Sequence, residues 1–169
     1  LHFFNFMKKK IAILGSTGSI GENTLKIIKD NKKDFNILLL STNRNIVKVL
    51  KQAREFKVKN ILINDINTYN QAKKKYNKLG IKFFNSFDSI NKILNKKKIY
   101  YSMVAITGLD GLKPSLLLTK YSKNLAIVNK ESLICGWNLI ENALKKNNCK
   151  FIPIDSEHFS IFSLLKNTK

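Results

Sequence analysis

Two stretches carry residue types at spacings that chemistry could use. Near the N-terminus, "ILGSTGSIGEN" (residues 13–23) sets Gly15, Gly18 and Gly21 three residues apart, with Ser16, Thr17 and Ser19 between them as hydroxyl and backbone donors. After a strand, such glycines permit a tight turn, let backbone N–H groups approach a phosphate and place its charge at the next helix N-terminus. Near the C-terminus, "PIDSEH" puts Asp155 and Glu157 two residues apart. On an extended chain both carboxylates point to one side, a half-shell for a hard divalent ion such as Mg²⁺ or Mn²⁺. The same residues would serve equally as a helix start, Asp155 or Ser156 capping and Glu157 favouring the positive end. His158, next in line, is as well explained by a structural hydrogen bond as by ligation.

The glycine pattern is G-x-x-G-x-x-G, its middle glycine one residue later than in G-x-G-x-x-G. No Lys-Ser or Lys-Thr follows, so a mononucleotide P-loop is disfavoured against a dinucleotide or a plain glycine turn. An NAD site ordinarily carries an acid about 20 residues on, at the end of the second strand, for the ribose 2′-hydroxyl. Here that place reads "STNRN", without an acid from Ser41 to Asn45 and with Arg44 available. A 2′-phosphate is better accommodated, which favours NADP; the alternative is that Arg44 merely begins a solvated helix. A third stretch, "NKES", brings Asn129, Lys130 and Glu131 to a strand's carboxyl edge. Lys130 suits a substrate phosphate or hydroxyl, and Asn129 and Glu131 the nicotinamide end of a cofactor.

These stretches need a scaffold, and the hydrophobic pattern predicts one. Short apolar runs ("KIAILG", "FNILLLS", "NILIN", "IKFF", "YYSMVAI", "NLAIVN", "CKFIPI") alternate with segments of helical period over 19–30, 46–56, 65–79, 87–94, 112–122 and 132–146. Asp65 or Asn67 would cap the third helix, and Pro114 fits only a first turn. A last helix would follow "DSEH". Strands alternating with helices indicate an α/β fold, a doubly wound, mostly parallel sheet with helices on both faces.

Composition sets outer bounds. A length of 169 residues, 44% of them hydrophobic, suffices for a one-domain core. No run of about 18 apolar residues occurs, which disfavours a membrane partner. Cys135 and Cys149 lack metal-type spacing and indicate a reducing compartment. The net charge of +20 invites a nucleic-acid reading, but only Arg44 and Arg54 are arginine, the residue that base and bidentate phosphate recognition favour. The lysines cluster at element ends, as on solvated faces, so no nucleic-acid partner is expected.

In their order and spacing, "GSTGSIG", "NKES" and "IPIDSEH" closely resemble the 1-deoxy-D-xylulose 5-phosphate reductoisomerases, from Lys8 to Leu165. The opening "LHFFNFM" is apolar but short and runs directly into "KKK", so 1–7 read as upstream residues with Met7 as the expected start rather than as a signal peptide. The resemblance implies a Rossmann-like NADPH-binding domain over 8–150 and the start of a metal-binding catalytic domain over 151–169. It implies rearrangement and NADPH-dependent reduction of 1-deoxy-D-xylulose 5-phosphate to 2-C-methyl-D-erythritol 4-phosphate, in the non-mevalonate route to isoprenoids. Thr17, Gly18, Ser19 and Ile20 would contact NADPH, as would Asn43, Arg44 and Asn45, with Asn129 and Glu131 nearer the nicotinamide. Lys130 and Ser156 would hold the sugar phosphate, and Asp155 and Glu157 the Mg²⁺ or Mn²⁺. Lys130 and Glu157 would be the catalytic pair.

The chain also departs from the family pattern. Asn43 and Arg44 stand where the family often has glycine and lysine, and Phe159 and Ser163 where it has a small residue and glutamine. The third metal carboxylate, the lid and the C-terminal domain would lie beyond Lys169, as would most of the parts through which the family is usually dimeric. The 169 residues are therefore expected to bind NADPH weakly without turnover. Bacterial-type cytoplasm is the expected location, or a plastid-like organelle in a eukaryote. Rival readings are a remnant that binds cofactor or nucleic acid, a short-chain dehydrogenase through Tyr69 and Lys73, and a semialdehyde dehydrogenase through Cys135, which is better explained as a buried core thiol.

Overall fold

The structure, a computed structural model, describes residues 8–94 and 98–154. In chain order it runs β1 (Lys9–Leu14), α1 (Ser19–Asp30), β2 (Phe35–Thr42), α2 (Ile46–Phe56), β3 (Asn60–Ile63), α3 (Ile66–Lys75), β4 (Lys82–Phe84), α4 (Ile90–Leu94), β5 (Ile99–Val104), α5 (Leu112–Thr119), β6 (Ser122–Ile127), α6 (Lys130–Lys146) and β7 (Lys150–Pro153). The strands form one seven-stranded sheet in the order β4-β3-β2-β1-β5-β6-β7, all pairings parallel. The expected doubly wound α/β architecture is therefore the observed one.

Period-two alternation along the central strands divides the core between the two faces of the sheet. Ile11 and Ile13 of β1 pack with Leu25, Ile28, Val49, Leu50 and Ala53 of α1 and α2, whereas Ala12 and Leu14 pack with Leu118, Ile140 and Leu144 of α5 and α6. Strand β2 breaks this phase once. Its register slips between Ile11↔Ile37 and Ala12↔Leu39, and the extra residue, Leu38, lets Ile37 and Leu40 face the same side. The slip sets the phase in which Ser41 and Thr42 reach the end of the strand.

Helices α1 and α2 begin and end where the pattern predicts. Helix α3 stops at Lys75 rather than Leu79. A short 3-10 turn, Asn77–Leu79, follows it and closes on Gly80 at φ +66°. Its last turn is Lys73–Lys75, with Ala72 the one buried residue of the helix, so little apolar surface holds it longer. Strand β5 ends at Val104, two residues short of expectation, freeing Ala105–Thr107 to leave the sheet. Strand β6 starts at Ser122, whose hydroxyl bonds that of Ser102 on β5 at 2.6 Å. Helix α6 starts at Lys130 rather than Ser132, because Asn129 caps it. Pro114 lies in the first turn of α5, as its missing N–H requires. No helix among the described residues is long and apolar enough to cross a membrane.

Candidate functional site

Strand β1 lies between β2 and β5, and the connections that leave β1 and β5 run to opposite faces of the sheet. In open α/β sheets this reversal opens a crevice at the strands' carboxyl ends, where ligands bind. The crevice here has a volume of ≈ 610 Å³. Thr17 and Gly18 line it after β1, Asn43 after β2, Asn64 and Asp65 after β3, and Ile106 and Thr107 after β5.

The three glycines of its floor have different jobs. Gly15 sits at φ +76°, and a Cβ there would stand 2.3 Å from the Ala105 carbonyl oxygen. A Cβ on Gly21 would stand 2.4 Å from the Gly15 carbonyl oxygen and 2.6 Å from Ser16 Cα, so this glycine lets α1 pack on its own loop. Both are demanded by the chain itself. Gly18 is not: its φ is −80°, and a Cβ there would meet only the Gly15 oxygen, at 3.5 Å. Its bare Cα leaves room on the crevice side, which a closely approaching ligand would use.

Gly18 also leaves α1 without a side-chain cap. Helices α2, α3 and α6 have theirs, as Asn45 accepts from the Lys48 N–H, Asp65 from Thr68 and Asn129 from Ser132. The first N–H groups of α1 therefore present their partial positive charge to the crevice, which suits an anion.

The rim around this floor is held by side-chain bonds that the sequence did not announce. Ser16 is fully buried, and its one hydroxyl proton is shared between Gln52 Oε1 at 2.8 Å and the Ser41 carbonyl at 3.1 Å, so it is not the ligand donor expected. Gln52 Nε2 returns a bond to the Ser16 carbonyl at 2.8 Å. One turn earlier on α2, Lys48 Nζ reaches the Thr17 carbonyl at 3.4 Å and pairs with Glu22 at 3.0 Å. Helix α2 thus clasps the glycine loop through an i, i+4 pair. The Gly15 N–H donates to Ser41 Oγ at 2.8 Å, and the Thr17 and Thr42 hydroxyls bond at 2.8 Å. Gln52 was detectable as a polar residue inside the apolar stripe Val49, Leu50 and Ala53.

Of the other expected residues, Ser19 and Ile20 lie exposed in the first turn of α1, and Asn43 and Arg44 are exposed after β2. Arg44 Nε pairs with Asp65 Oδ2 at 3.3 Å. Two Thr68 hydrogen bonds and the Arg44 charge hold the Asp65 carboxyl below its ordinary range. Asn129 is buried and its amide is spent internally. Nδ2 donates to the carbonyls of Ile106 and Gly108, and Oδ1 accepts from Ser132 N–H at 3.3 Å. It braces the β5 wall of the crevice rather than extending an amide into it. Lys130 and Glu131 stand in the first turn of α6, beyond the strand edge. Lys130 borders a second hollow of ≈ 260 Å³ with Ile134, Trp137 and Phe151. Asp155, Ser156 and Glu157 lie outside the described residues. Cys135, expected in the core, is exposed, whereas Cys149 is buried and its thiol is pushed up to about 11 by burial. Tyr69 of the short-chain dehydrogenase reading packs into the core beside α1 and α2.

The family model of 1-deoxy-D-xylulose 5-phosphate reductoisomerase matches residues 11–136. The chain belongs to this family. The reductoisomerase of Pelagibacter ubique is 56% identical over 162 residues, 95% of this chain and 42% of its own length. That of Proteus mirabilis is 37% identical over 159 residues, 93% of this chain and 40% of its own. The solved reductoisomerase from Zymomonas mobilis, in complex with NADPH, superposes with a TM-score of 0.84 at 30% identity, covering 93% of this chain and 41% of that one. A reductoisomerase in complex with NADPH, fosmidomycin and magnesium gives 0.80 at 30% identity, covering 89% and 37%. Homoserine dehydrogenase of S. aureus, at 20% identity and a TM-score of 0.52, shares the fold alone. The chain spans about two fifths of the length of the reductoisomerases it matches.

Proposed function

We propose that the described residues are the NADPH-binding part of a 1-deoxy-D-xylulose 5-phosphate reductoisomerase, the domain spanning 8–150. The observation that carries this reading is the uncapped α1 N-terminus at Gly18, open to a crevice whose other walls are braced from within. Among the described residues the buried Asn64 Oδ1 on the same wall has no hydrogen-bond partner. The residues present fit a dinucleotide. The N–H groups of Ser19 and Ile20 would take the pyrophosphate, Thr17 and Gly18 would line its approach, and Arg44 with Asn43 and Asn45 would take the adenosine 2′-phosphate. The nicotinamide would then extend toward the β5 wall that Asn129 braces, with Glu131 beyond it. Bound there, NADPH supplies the hydride.

Residues 151–169 would begin the catalytic domain. Asp155 and Glu157 would hold Mg²⁺ or Mn²⁺, and Lys130 and Ser156 the phosphorylated sugar, with Lys130 and Glu157 in the catalytic roles. Reductoisomerase activity and homodimer formation would belong to the full-length enzyme, and the 169 residues are expected to bind NADPH without turnover. The reading is tested by titrating NADPH into this chain, following cofactor fluorescence, and then adding Mg²⁺ and 1-deoxy-D-xylulose 5-phosphate. Saturable binding with no substrate-dependent NADPH oxidation is expected. No binding would overturn the cofactor assignment, and steady oxidation would overturn the assignment of catalysis to the longer protein.

A further inference from the structure

The sequence shows no acid at the end of β2, yet the fold supplies one from the end of β3. Asp65 lies 21 residues after Arg44 and meets it across the crevice mouth, Nε to Oδ2 at 3.3 Å. The two partners are unequally placed. The Asp65 side chain is 17% exposed and the Arg44 side chain 77%. Asp65 is also anchored independently of Arg44. Its Oδ1 accepts from the Thr68 N–H at 2.9 Å and from the Thr68 hydroxyl at 2.7 Å, as N-cap of α3. Its own N–H donates to the Asn43 carbonyl at 3.4 Å, tying it to the β2 loop that carries Arg44. A fixed carboxylate therefore holds a mobile-stemmed cation.

The atom that Asp65 engages matters. A guanidinium presents five N–H donors in a planar fork, and a bond at Nε leaves the Nη1/Nη2 edge, which can grip a phosphate with two parallel bonds. Among the described residues neither Nη group has a hydrogen-bond partner. Pinning an exposed arginine at Nε removes rotamer freedom that phosphate binding would otherwise have to remove.

We propose that Asp65 is a positioning residue for cofactor selection, holding Arg44 by Nε so that its Nη edge faces an adenosine 2′-phosphate. This rests on the NADPH reading of the crevice. It is distinct from the role usual for an acid in such folds, which is to accept the ribose 2′-hydroxyl of NAD.

The test is a double-mutant cycle on the 169-residue chain, with Asp65→Asn, Arg44→Met and the double variant titrated with NADPH and with NADH. Asparagine keeps the cap of α3 because its Oδ1 still accepts from Thr68. Asp65→Asn is expected to weaken NADPH binding about three- to tenfold and leave NADH unchanged, and to add nothing in the Arg44→Met background. The inference is overturned if Asp65→Asn tightens NADPH binding, since the carboxylate then only competes with the phosphate. It is overturned equally if NADH weakens as much or more, or if the two substitutions add. Wild-type chain that binds neither cofactor overturns the NADPH reading itself, and this inference with it, an outcome visible before any variant is made.

Discussion

The two ends of the candidate site are built differently. At the β1–β2–β3 end, polar groups close on each other. Ser16 is bonded to Gln52 and Ser41, Thr17 to Thr42 and Lys48, and Arg44 to Asp65. At the α6–β7 end the described surface is apolar, with Ile134 80% and Leu139 59% exposed and Trp137 edge-on against Phe151 at 5.5 Å. The first end holds a geometry by itself, as a binding floor must. The second offers packing surface but little internal fixation. The proposed cofactor end lies within the described residues, and Asp155 and Glu157, the proposed metal ligands, lie outside them.

Substitutions at the first end should therefore cost stability in proportion to how internally committed each group is. Gly15→Ala forces a Cβ against the Ala105 carbonyl at φ +76°, and the overpacking and left-handed terms together are expected to cost about 2–5 kcal/mol. Urea melts would show this as a lower midpoint, and an unchanged midpoint would mean that the loop is not held as described. Gln52→Leu is next. It strands the buried Ser16 carbonyl and leaves the Ser16 hydroxyl only its bond to the Ser41 carbonyl, at about 1–3 kcal/mol, with a parallel loss of NADPH affinity as the glycine loop loosens. At the second end, Ile134→Ser should change the unfolding free energy of this chain by less than about 0.5 kcal/mol, because an exposed side chain has little packing to lose. A large destabilisation there would make the two ends alike.

How much of this was legible in the sequence depended on whether a signal was local. The bounds of α1 and α2, the glycine turn and the Asp65 cap follow from periodicity and capping chemistry within a few residues. The start of α6 was read two residues late, because "NKES" resembles a strand edge until Asn129 is seen bonding Ser132. The clasp of Ser16 by Gln52 joins residues 36 apart and the Arg44–Asp65 pair residues 21 apart. Such partners depend on β2 lying beside β1 and β3 beside β2, which no local pattern encodes. Cys135 likewise depends on which side of α6 meets α5: it faces out, while Gly136, one residue on, lies against Leu112.

The central claim is that Gly15 and Gly21 serve the fold while Gly18 serves a ligand. It is tested most directly by making Gly18→Ala and Gly21→Ala in the 169-residue chain and measuring, for each, the thermal midpoint and the NADPH dissociation constant. A Cβ at Gly18 meets only the Gly15 oxygen at 3.5 Å and costs the fold about 1 kcal/mol or less, as an alanine N-cap does, but would stand in the path of a phosphate bound as proposed. The account predicts that Gly18→Ala melts near the wild type with NADPH binding weakened at least tenfold, whereas Gly21→Ala melts well below it. A Gly18→Ala chain that binds NADPH like the wild type would contradict the account.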